Sequence, residues 1–220
     1  MNTTQIPAPL KIDFVSDVSC PWCAIGLKAL EQAIARVGDA VDVELHFQPF
    51  ELNPQMPPEG QDTAEHLKQK YGSSPEQLAA NREAIRARGA ELGFTFNQRD
   101  RIYNTFDAHR LLHWAGLESR SSELALKQAL LRAYFTDGDD VSSHANLVRI
   151  AASAGLDEGK ARKILESGVY AEDVRAQEQK FLNNGIHSVP AVIINDRHLI
   201  SGGQPVEVFE QALRQIASQT

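Results

Sequence analysis

Near the N-terminus, two segments of alternating apolar and polar residues flank one segment with helical spacing. Leu10–Ser16 reads LKIDFVS and residues 41–47 read VDVELHF, a period of two that is typical of β-strands. From Pro21 onward, apolar residues recur every three or four positions as far as Gly38, and glycine commonly follows the end of a helix. This part of the chain therefore predicts a βαβ unit with parallel strands and a right-handed crossover.

The middle of the chain has helical periodicity alone. Four prolines within residues 49–58 predict an extended loop, and Ser74, Pro75 and Gln77 have the spacing of a helix N-cap with a capping box. Further helices are predicted at residues 76–92, 104–115, 121–135, 144–154 and 158–166. Because no alternating segment of useful length interrupts them, we expect an all-helical block of somewhat over a hundred residues.

Strand-like patterns return only near the C-terminus. Residues 189–194 (VPAVII) and 198–200 flank Asn195 and Asp196, which predicts a β-hairpin, and residues 205–217 form an amphipathic helix pattern. The simplest assembly places all four strands in one sheet. We therefore divide this α/β chain into an N-terminal βαβ part, a helical insertion and a C-terminal αββα part, at residues 1–52, 53–170 and 171–220.

Composition and charge narrow the class of protein. With 220 residues, 42% hydrophobic and 23% charged, the chain is an ordinary globular protein that can fold without disulfide bonds. A net charge of -7, from 22 basic and 29 acidic residues, argues against nucleic acid as a partner. No segment approaches the roughly 18 apolar residues of a membrane span, and the N-terminus lacks the pattern of a signal peptide. We expect a cytoplasmic protein without a membrane partner.

The two cysteines of the chain, Cys20 and Cys23, flank Pro21 and Trp22 at the predicted strand-to-helix junction. In a reducing compartment such a pair is more often catalytic than structural. Unpaired N–H groups and the helix dipole favour the thiolate of Cys20, which would then attack disulfides at neutral pH. A CxxC motif inside a βαβ unit thus predicts a redox pair in which Cys20 attacks and Cys23 resolves.

The order of these elements resembles the DsbA family of thioredoxin-fold proteins. It comprises a strand, the CPWC motif, a helix, a strand, a helical block, and the sequence GIHSVP at residues 185–190 before a hairpin. Residues 104–110 (NTFDAHR) and 201–205 (SGGQP) are similar to the cytoplasmic, FrnE-like branch. The resemblance implies a thioredoxin-like fold with a large helical insertion and thiol-disulfide oxidoreductase activity. It also implies that Pro190 is cis, that it packs beside the cysteines, and that Val189 presents its backbone to the substrate.

Several polar residues are further candidates for the site. Asn53 follows the second strand together with Glu51, at the end where parallel sheets commonly bind ligands. Asp17 precedes Cys20 and is predicted to be a turn residue, although it lies close enough to influence the thiols. The predicted substrate-binding residues are Pro21, Trp22, Asn53, Asn104, His109, Val189 and Pro190.

Two other functions stay open. The superfamily includes kappa-class glutathione transferases and 2-hydroxychromene-2-carboxylate isomerases, which typically have serine at the position of Cys20; Cys20 would then activate or bind glutathione. Alternatively, Cys20 and Cys23 with His109 and His113 would hold zinc in a protein-docking module.

The leading hypothesis implies partners but no resident cofactor. Disulfide exchange needs no metal and no bound organic cofactor, so glutathione enters only as a redox partner or co-substrate. The substrates would be protein or small-molecule thiols and disulfides. The net direction depends on the reduction potential and on the partner that recycles the pair, neither of which the motif specifies. The helical insertion offers room for a homodimer face.

Overall fold

The computed structural model describes residues 9–219. The polar N-terminal segment on which the expectation about a signal peptide rests lies, apart from Pro9, outside these residues. In chain order the elements are β1 (Leu10–Ser16), α1 (Pro21–Val37), β2 (Val43–Pro49), β3 (Gln61–Asp62), α2 (Thr63–Tyr71), α3 (Pro75–Glu91), β4 (Arg101–Ile102), α4 (Phe106–Glu118), α5 (Arg120–Arg132), α6 (His144–Ser153), α7 (Glu158–Leu165), α8 (Ala171–Asn183), β5 (Ala191–Ile194), β6 (His198–Ser201) and α9 (Val206–Ala217).

Strands from the two ends of the chain form one four-stranded sheet in the order β2-β1-β5-β6. β1 and β2 are parallel, with Leu10 opposite Val43, whereas β5 is antiparallel to both β1 and β6. Asn195 and Asp196 close the hairpin with positive φ angles of 52° and 56°, as a type I′ turn requires. The prediction of a single sheet is confirmed.

Helices α2 to α7 lie between β2 and α8 in the chain. They confirm a helical insertion, but the expectation that the middle block is all-helical is wrong. β3 and β4 pair antiparallel, with Gln61 opposite Ile102 and Asp62 opposite Arg101. Each strand is two residues long, which is too short to give an alternating pattern that a sequence could reveal.

The caps explain where the insertion helices begin. The Ser74 capping box is present, because its side chain accepts from the Gln77 N–H while the Gln77 side chain binds the Ser74 backbone. Helix α2 has little apolar periodicity, and it begins where the Asp62 side chain accepts from the Glu65 N–H. Because Asn104 instead caps the turn ahead of α4, that helix begins at Phe106 and not at Asn104.

The sheet is buried on the sides that carry helices. Helices α1 and α9 pack together, and α4, α5 and α8 pack against β2. Ile12 and Phe14 of β1 are fully buried, each contributing about 1.5–3 kcal/mol of hydrophobic stabilisation. Four aromatic rings of the insertion pack on one another and belong to the same hydrophobic core as β1 and α1: Phe94, Phe96, Tyr134 and Phe135. Within residues 9–219, no helix has the length and hydropathy required to cross a membrane.

Candidate redox site

Cys20 occupies the N-cap of α1. Its backbone is extended (φ -90°, ψ 114°) and Pro21 lies in the first turn, where the missing proline N–H would have no helical partner in any case. The Cys20 carbonyl accepts from the N–H groups of Cys23, at 3.1 Å, and Ala24, at 3.3 Å. This local geometry fixes the first thiol at the positive end of the helix and the second one turn further along.

The two thiols lie 3.2 Å apart, which is not disulfide distance, and both cysteines are free. The Cys20 Sγ donates to the Val189 carbonyl oxygen at 3.8 Å. The Val189–Pro190 peptide bond is cis. The structure therefore brings Cys20, Cys23, Val189 and Pro190 together, although the sequence separates the two pairs by more than 160 residues.

The two cysteines have different surroundings. Cys20 is 4% exposed, Cys23 is fully buried, and Trp22 between them is 43% exposed. Burial raises the pKa of the Cys23 thiol well above its usual value, and the hydrogen bond with Cys20 raises it further, while the charge of Lys127 opposes both. Cys23 therefore keeps its proton at neutral pH, and Trp22 is the exposed side chain of the motif.

Two glycines allow the backbone to pack closely against the motif. A Cβ on Gly203 would lie 2.9 Å from the Trp22 carbonyl oxygen, and a Cβ on Gly26 would lie 3.1 Å from the Pro190 Cγ. Residues 201–205 were singled out in the sequence only by their resemblance to a family segment. The structure gives that segment a physical role, since it packs directly on the CPWC turn.

Asp17 connects the loop before the motif to the loop after β2. Its carboxylate accepts from the Ser19 N–H at 3.0 Å and from the Leu52 N–H at 2.7 Å, and the His109 Nε2 lies 3.8 Å away. Burial raises the pKa of Asp17, but His109 and the two N–H groups outweigh burial and hold it below its usual value. Asp17 is thus a turn residue that stays ionised next to the cysteines.

The remaining predicted substrate-binding residues have partners within the protein. The Asn53 Oδ1 accepts from the Lys70 Nζ at 2.7 Å and contacts the His66 Nε2 at 3.0 Å. The Asn104 Oδ1 accepts from the Phe106 N–H at 2.9 Å. Both amides therefore hold loops in place, and their roles in binding substrate stay predictions.

His109 lies next to the motif but is hidden from solvent. It is 2% exposed, and its Nε2 forms no hydrogen bond in the described part of the chain. Asp17, three residues before Cys20, is its charged neighbour. The structure therefore places His109 beside Asp17 and in the wall of the cleft between β2 and the helices α4 and α5, and its role in binding substrate stays a prediction.

Sequence reasoning missed two buried charged residues of α5. Lys127 is fully buried and Glu123 is 5% exposed. The Glu123 Oε1 accepts from the Phe47 N–H at 3.0 Å, and the Lys127 Nζ lies 5.8 Å from the centroid of the Phe47 ring. An acid and a lysine four residues apart look like an exposed helical pair. The sequence does contain one indication of their burial. Glu123 and Lys127 lie on the same helical face as Leu126 and Leu130, which are buried.

Burial shifts the pKa of both groups toward the neutral forms. It raises the pKa of Glu123 to about 7, while the Phe47 N–H and the Lys127 charge oppose it and Asp13 adds to it. It also lowers the pKa of Lys127, which the charges of Cys23, Asp17, Cys20 and Glu123 oppose. An acid that titrates near neutral pH and a buried amine therefore lie behind the cysteine motif.

The proposed zinc ligands are not assembled. Among residues 9–219, no group of three or more His, Cys, Asp or Glu side chains has an arrangement that would hold a metal ion. The His113 ring packs against Tyr170 at 5.1 Å between centroids. Cys20, Cys23, His109 and His113 therefore do not form one metal-binding cluster in this structure.

Three solved structures share the architecture of this chain. The structure of a probable DsbA oxidoreductase from Streptomyces coelicolor is 36% identical, with a TM-score of 0.89 over 96% of this chain and 91% of that one. The cytosolic disulfide reductase DsbM from Pseudomonas aeruginosa is 19% identical, with a TM-score of 0.64 over 96% and 100% of the two chains. A 2-hydroxychromene-2-carboxylate isomerase is 14% identical, with a TM-score of 0.68 over 95% and 97%; these last two likenesses concern the fold alone.

The sequence profile of the DSBA-like thioredoxin domain matches residues 11–214, which include both cysteines, the helical insertion and the Val189–Pro190 segment. This match and the 36% identical structure confirm the fold and the family that the sequence predicted. The chain therefore belongs to the DSBA-like thioredoxin domain family.

Proposed function

We propose that this protein is a thiol-disulfide oxidoreductase that exchanges disulfides through Cys20 and Cys23 with protein or small-molecule substrates. The observation that carries the proposal is the free dithiol, 3.2 Å between the thiols, with Cys20 at the N-cap of α1 and its Sγ facing the Val189 carbonyl. A thiolate at a helix N-terminus is stabilised by the unpaired N–H groups and can attack a disulfide.

The exchange proceeds in two balanced steps. The Cys20 thiolate attacks one sulfur of a substrate disulfide, forms a mixed disulfide, and releases the other substrate sulfur as a thiolate that takes a proton from solvent. The Cys23 thiol then loses its proton and attacks Cys20, so that the Cys20–Cys23 bond forms and the second substrate thiolate leaves. Two electrons pass from the dithiol to the substrate, and the reverse sequence oxidises a substrate dithiol.

The exposed face supplies the docking groups. Trp22 is 43% exposed and offers an apolar surface beside Cys20, while the backbone of Val189 lies next to the attacking thiol. Pro190 has no N–H, and its ring packs against the backbone of α1 at Gly26. We propose that a substrate segment lies across Trp22 and the Val189 backbone.

Glutathione is the small thiol that we propose as redox partner or co-substrate. The DsbM structure has also been solved with GSH, and that protein is named a cytosolic disulfide reductase, which supports the proposal of a cytoplasmic thiol enzyme. The structural likeness to a 2-hydroxychromene-2-carboxylate isomerase favours a second candidate, a glutathione-dependent isomerase or transferase. In that candidate Cys20 binds or activates glutathione, and Cys23 is dispensable.

A redox titration in glutathione buffers, with alkylation of free thiols and intact-mass readout, separates these functions. We expect the wild-type protein to lose two thiols together at one midpoint. Cys23→Ser should stop at a glutathione adduct on Cys20, and Cys20→Ser should lose exchange activity by more than about a thousandfold, because the nucleophile is absent. Wild-type thiols that stay reduced, or that form only the adduct, would refute the oxidoreductase and support the second candidate.

A further inference from the structure

A cleft lies between β2 and the helices α4 and α5. Its volume is about 150 Å³, which is the space of about five water molecules at about 30 Å³ each. The lining residues that the structure describes include neither Cys20 nor Cys23. The disulfide exchange proposed above therefore does not use this cleft.

Basic side chains outnumber acidic ones in the wall of the cleft. Four basic residues from three elements line it: His46, His109, His113 and Lys127. Among the described residues of the wall, Glu123 is the one acid, and its Oε1 already accepts from the Phe47 N–H at 3.0 Å. An excess of basic groups favours an anion over a cation as the ligand.

Two of the basic groups are buried without a partner and form the floor of the cleft. In the part of the chain that the structure describes, the Lys127 Nζ and the His109 Nε2 have no hydrogen bond, although Lys127 is fully buried and His109 is 2% exposed. The His109 Nε2 has the Asp17 carboxylate at 3.8 Å, whereas Lys127 has no carboxylate within hydrogen-bonding distance. A buried amine without a partner is destabilising, so this floor requires an acceptor that the cleft can admit.

A water molecule would supply a hydrogen bond to Lys127 but no counter-charge. Burial lowers the pKa of Lys127 because it disfavours the ammonium form, and the charges of nearby acidic groups oppose this shift. A carboxylate in the cleft would add a charge-assisted hydrogen bond, which is roughly twice as strong as a neutral one. The floor of the cleft therefore suits a carboxylate better than water.

Apolar side chains form the rest of the wall and indicate what the carboxylate is attached to. Phe47 and Pro49 come from β2, and Leu112 and Leu117 come from α4. The Phe47 ring centroid lies 5.8 Å from the Lys127 Nζ, and Leu117 is 64% exposed, so the cleft opens to solvent beside it. A ligand with a hydrocarbon chain would cover these side chains, whereas an inorganic anion such as phosphate would leave them wet.

We propose that this cleft is a binding site for a short aliphatic carboxylate, separate from the thiol site. The carboxylate accepts from the Lys127 Nζ and the His109 Nε2, and its hydrocarbon chain packs on Phe47, Leu112 and Leu117. A chain of about four carbon atoms fills the volume of about 150 Å³. Binding is non-covalent and needs no other reactant.

Titration of ¹⁵N-labelled protein with sodium butyrate, followed by amide chemical shifts, tests the site. Burial raises the pKa of Glu123 to about 7, so the titration is done near pH 6, where most of this carboxyl group is neutral and does not repel the ligand. We expect saturable shifts at residues 46–48 and 112–117, with a Kd in the millimolar range. Acetate should bind about 10-fold more weakly, because it lacks two CH₂ groups that butyrate buries.

Matched variants make the result specific. Lys127→Met keeps most of the side-chain volume and removes the charge, so it should weaken butyrate binding about 10- to 100-fold. Lys163→Met is the control, because Lys163 is an exposed residue of α7 outside the cleft, and it should leave the Kd unchanged within about twofold.

Exposed positions give a second test if Lys127→Met does not fold. Leu117→Glu places a negative charge at the opening of the cleft and should weaken butyrate binding about 3- to 10-fold. Leu199→Glu is its control, because Leu199 is also exposed, at 53%, but lies on β6. It should not change the Kd.

Four results would each overturn the carboxylate site. They are the absence of saturable shifts at millimolar butyrate, phosphate binding as tight as butyrate binding, a wild-type Kd in both Lys127→Met and Leu117→Glu, and shifts confined to the residues around Cys20. Cys20→Ser should bind butyrate with the wild-type Kd, because Cys20 does not line the cleft. The redox titration and the butyrate titration therefore test the two proposals independently.

Discussion

The two cysteines of the CPWC motif face two different regions of the molecule. On the outer side, Cys20 meets backbone groups, namely the helix N-terminus and the Val189 carbonyl, beside the exposed Trp22. On the inner side, Cys23 is fully buried and is influenced by the charge of Lys127. Helix α1 and the segment before β5 thus provide the groups of one side, and the helical insertion provides the ionisable side chains of the other.

The two sides differ in how their charge depends on pH. The partial charges of backbone N–H and C=O groups do not change with pH. The electrostatic environment that these groups give Cys20 is therefore fixed by the fold. Carboxyl and amino groups change charge with pH, and burial moves the titration of Glu123 to about 7. We therefore expect substitutions on the outer side to alter packing and docking, and substitutions on the inner side to alter pH dependence.

The largest expected effect on stability comes from Glu123. Its folded pKa of about 7 lies above the ordinary value of 4.5, so the folded state binds the proton more tightly and folding stability falls as pH rises through this window. Glu123→Gln removes this loss. Relative to wild type, the variant should gain up to about 3 kcal/mol in unfolding free energy between about pH 4 and pH 8, measured by urea denaturation.

Glu118→Gln is the control for Glu123→Gln, because the pKa of Glu118 is lowered whereas that of Glu123 is raised. Hydrogen bonds from Lys160 and Trp114 lower the pKa of this exposed carboxyl group, so its contribution is present above its ordinary pKa and disappears as pH falls. Glu118→Gln should therefore lose a little stability at neutral pH and none in acid. If the unfolding free energies of wild type and Glu123→Gln changed in parallel with pH, the pKa of Glu123 would not be raised in the folded protein. The inner side would then not differ from the outer side in its pH dependence.

The outer side could be predicted because its signals are local. Cys20, Pro21, Trp22 and Cys23 lie in one strand-to-helix junction whose period is visible in the sequence, and N-caps follow from residues that are close in the chain. The association with Val189 and Pro190 required the family resemblance. The four-stranded sheet was predicted from the strand-like patterns at the two ends of the chain and from their simplest assembly.

The inner side could not be predicted because it depends on packing between distant segments. Glu123 follows Cys23 by a hundred residues, and its burial results from the contact of α5 with β2. Nothing in the local sequence distinguishes this Glu–Lys pair from an exposed one, apart from its position on the apolar face. The β3–β4 pair was missed for a similar reason, since two residues per strand carry no period.

Asp17→Asn tests the connection between the two sides and has the next largest expected effect on folding stability. Its two carboxylate oxygens accept from the Ser19 and Leu52 N–H groups, and an asparagine would leave one of these N–H groups facing an NH₂ group. Asp17→Asn should cost about 2–3 kcal/mol at pH 7. Because the folded pKa of Asp17 is lowered, this stabilisation is present above its ordinary pKa and is lost as pH falls through the folded value.

Urea denaturation at pH 7 and near pH 3 checks the Asp17 prediction, with the exposed Asp39→Asn as the matched control. The cost of Asp17→Asn should shrink in acid, and the control should stay within about 0.5 kcal/mol of wild type at both pH values. An equal cost at both pH values would mean that the shape of the side chain, and not its charge, holds the two loops.

Gly203 tests whether the outer side depends on backbone packing. A Cβ there would lie 2.9 Å from the Trp22 carbonyl oxygen, so Gly203→Ala must displace the CPWC turn and should cost about 1–2 kcal/mol. Gly168→Ala is the control, because a Cβ at Gly168 meets no atom within 4 Å; it should be neutral or slightly stabilising. In a stopped-flow reaction with Ellman's reagent, Gly203→Ala should change the first release of nitrothiobenzoate, which follows attack by Cys20, more than the second, which follows attack by Cys23. Equal stability of the two variants would show that the CPWC turn tolerates displacement. The packing of Gly203 would then not determine the geometry of the outer side, and the N-terminus of α1 alone would do so.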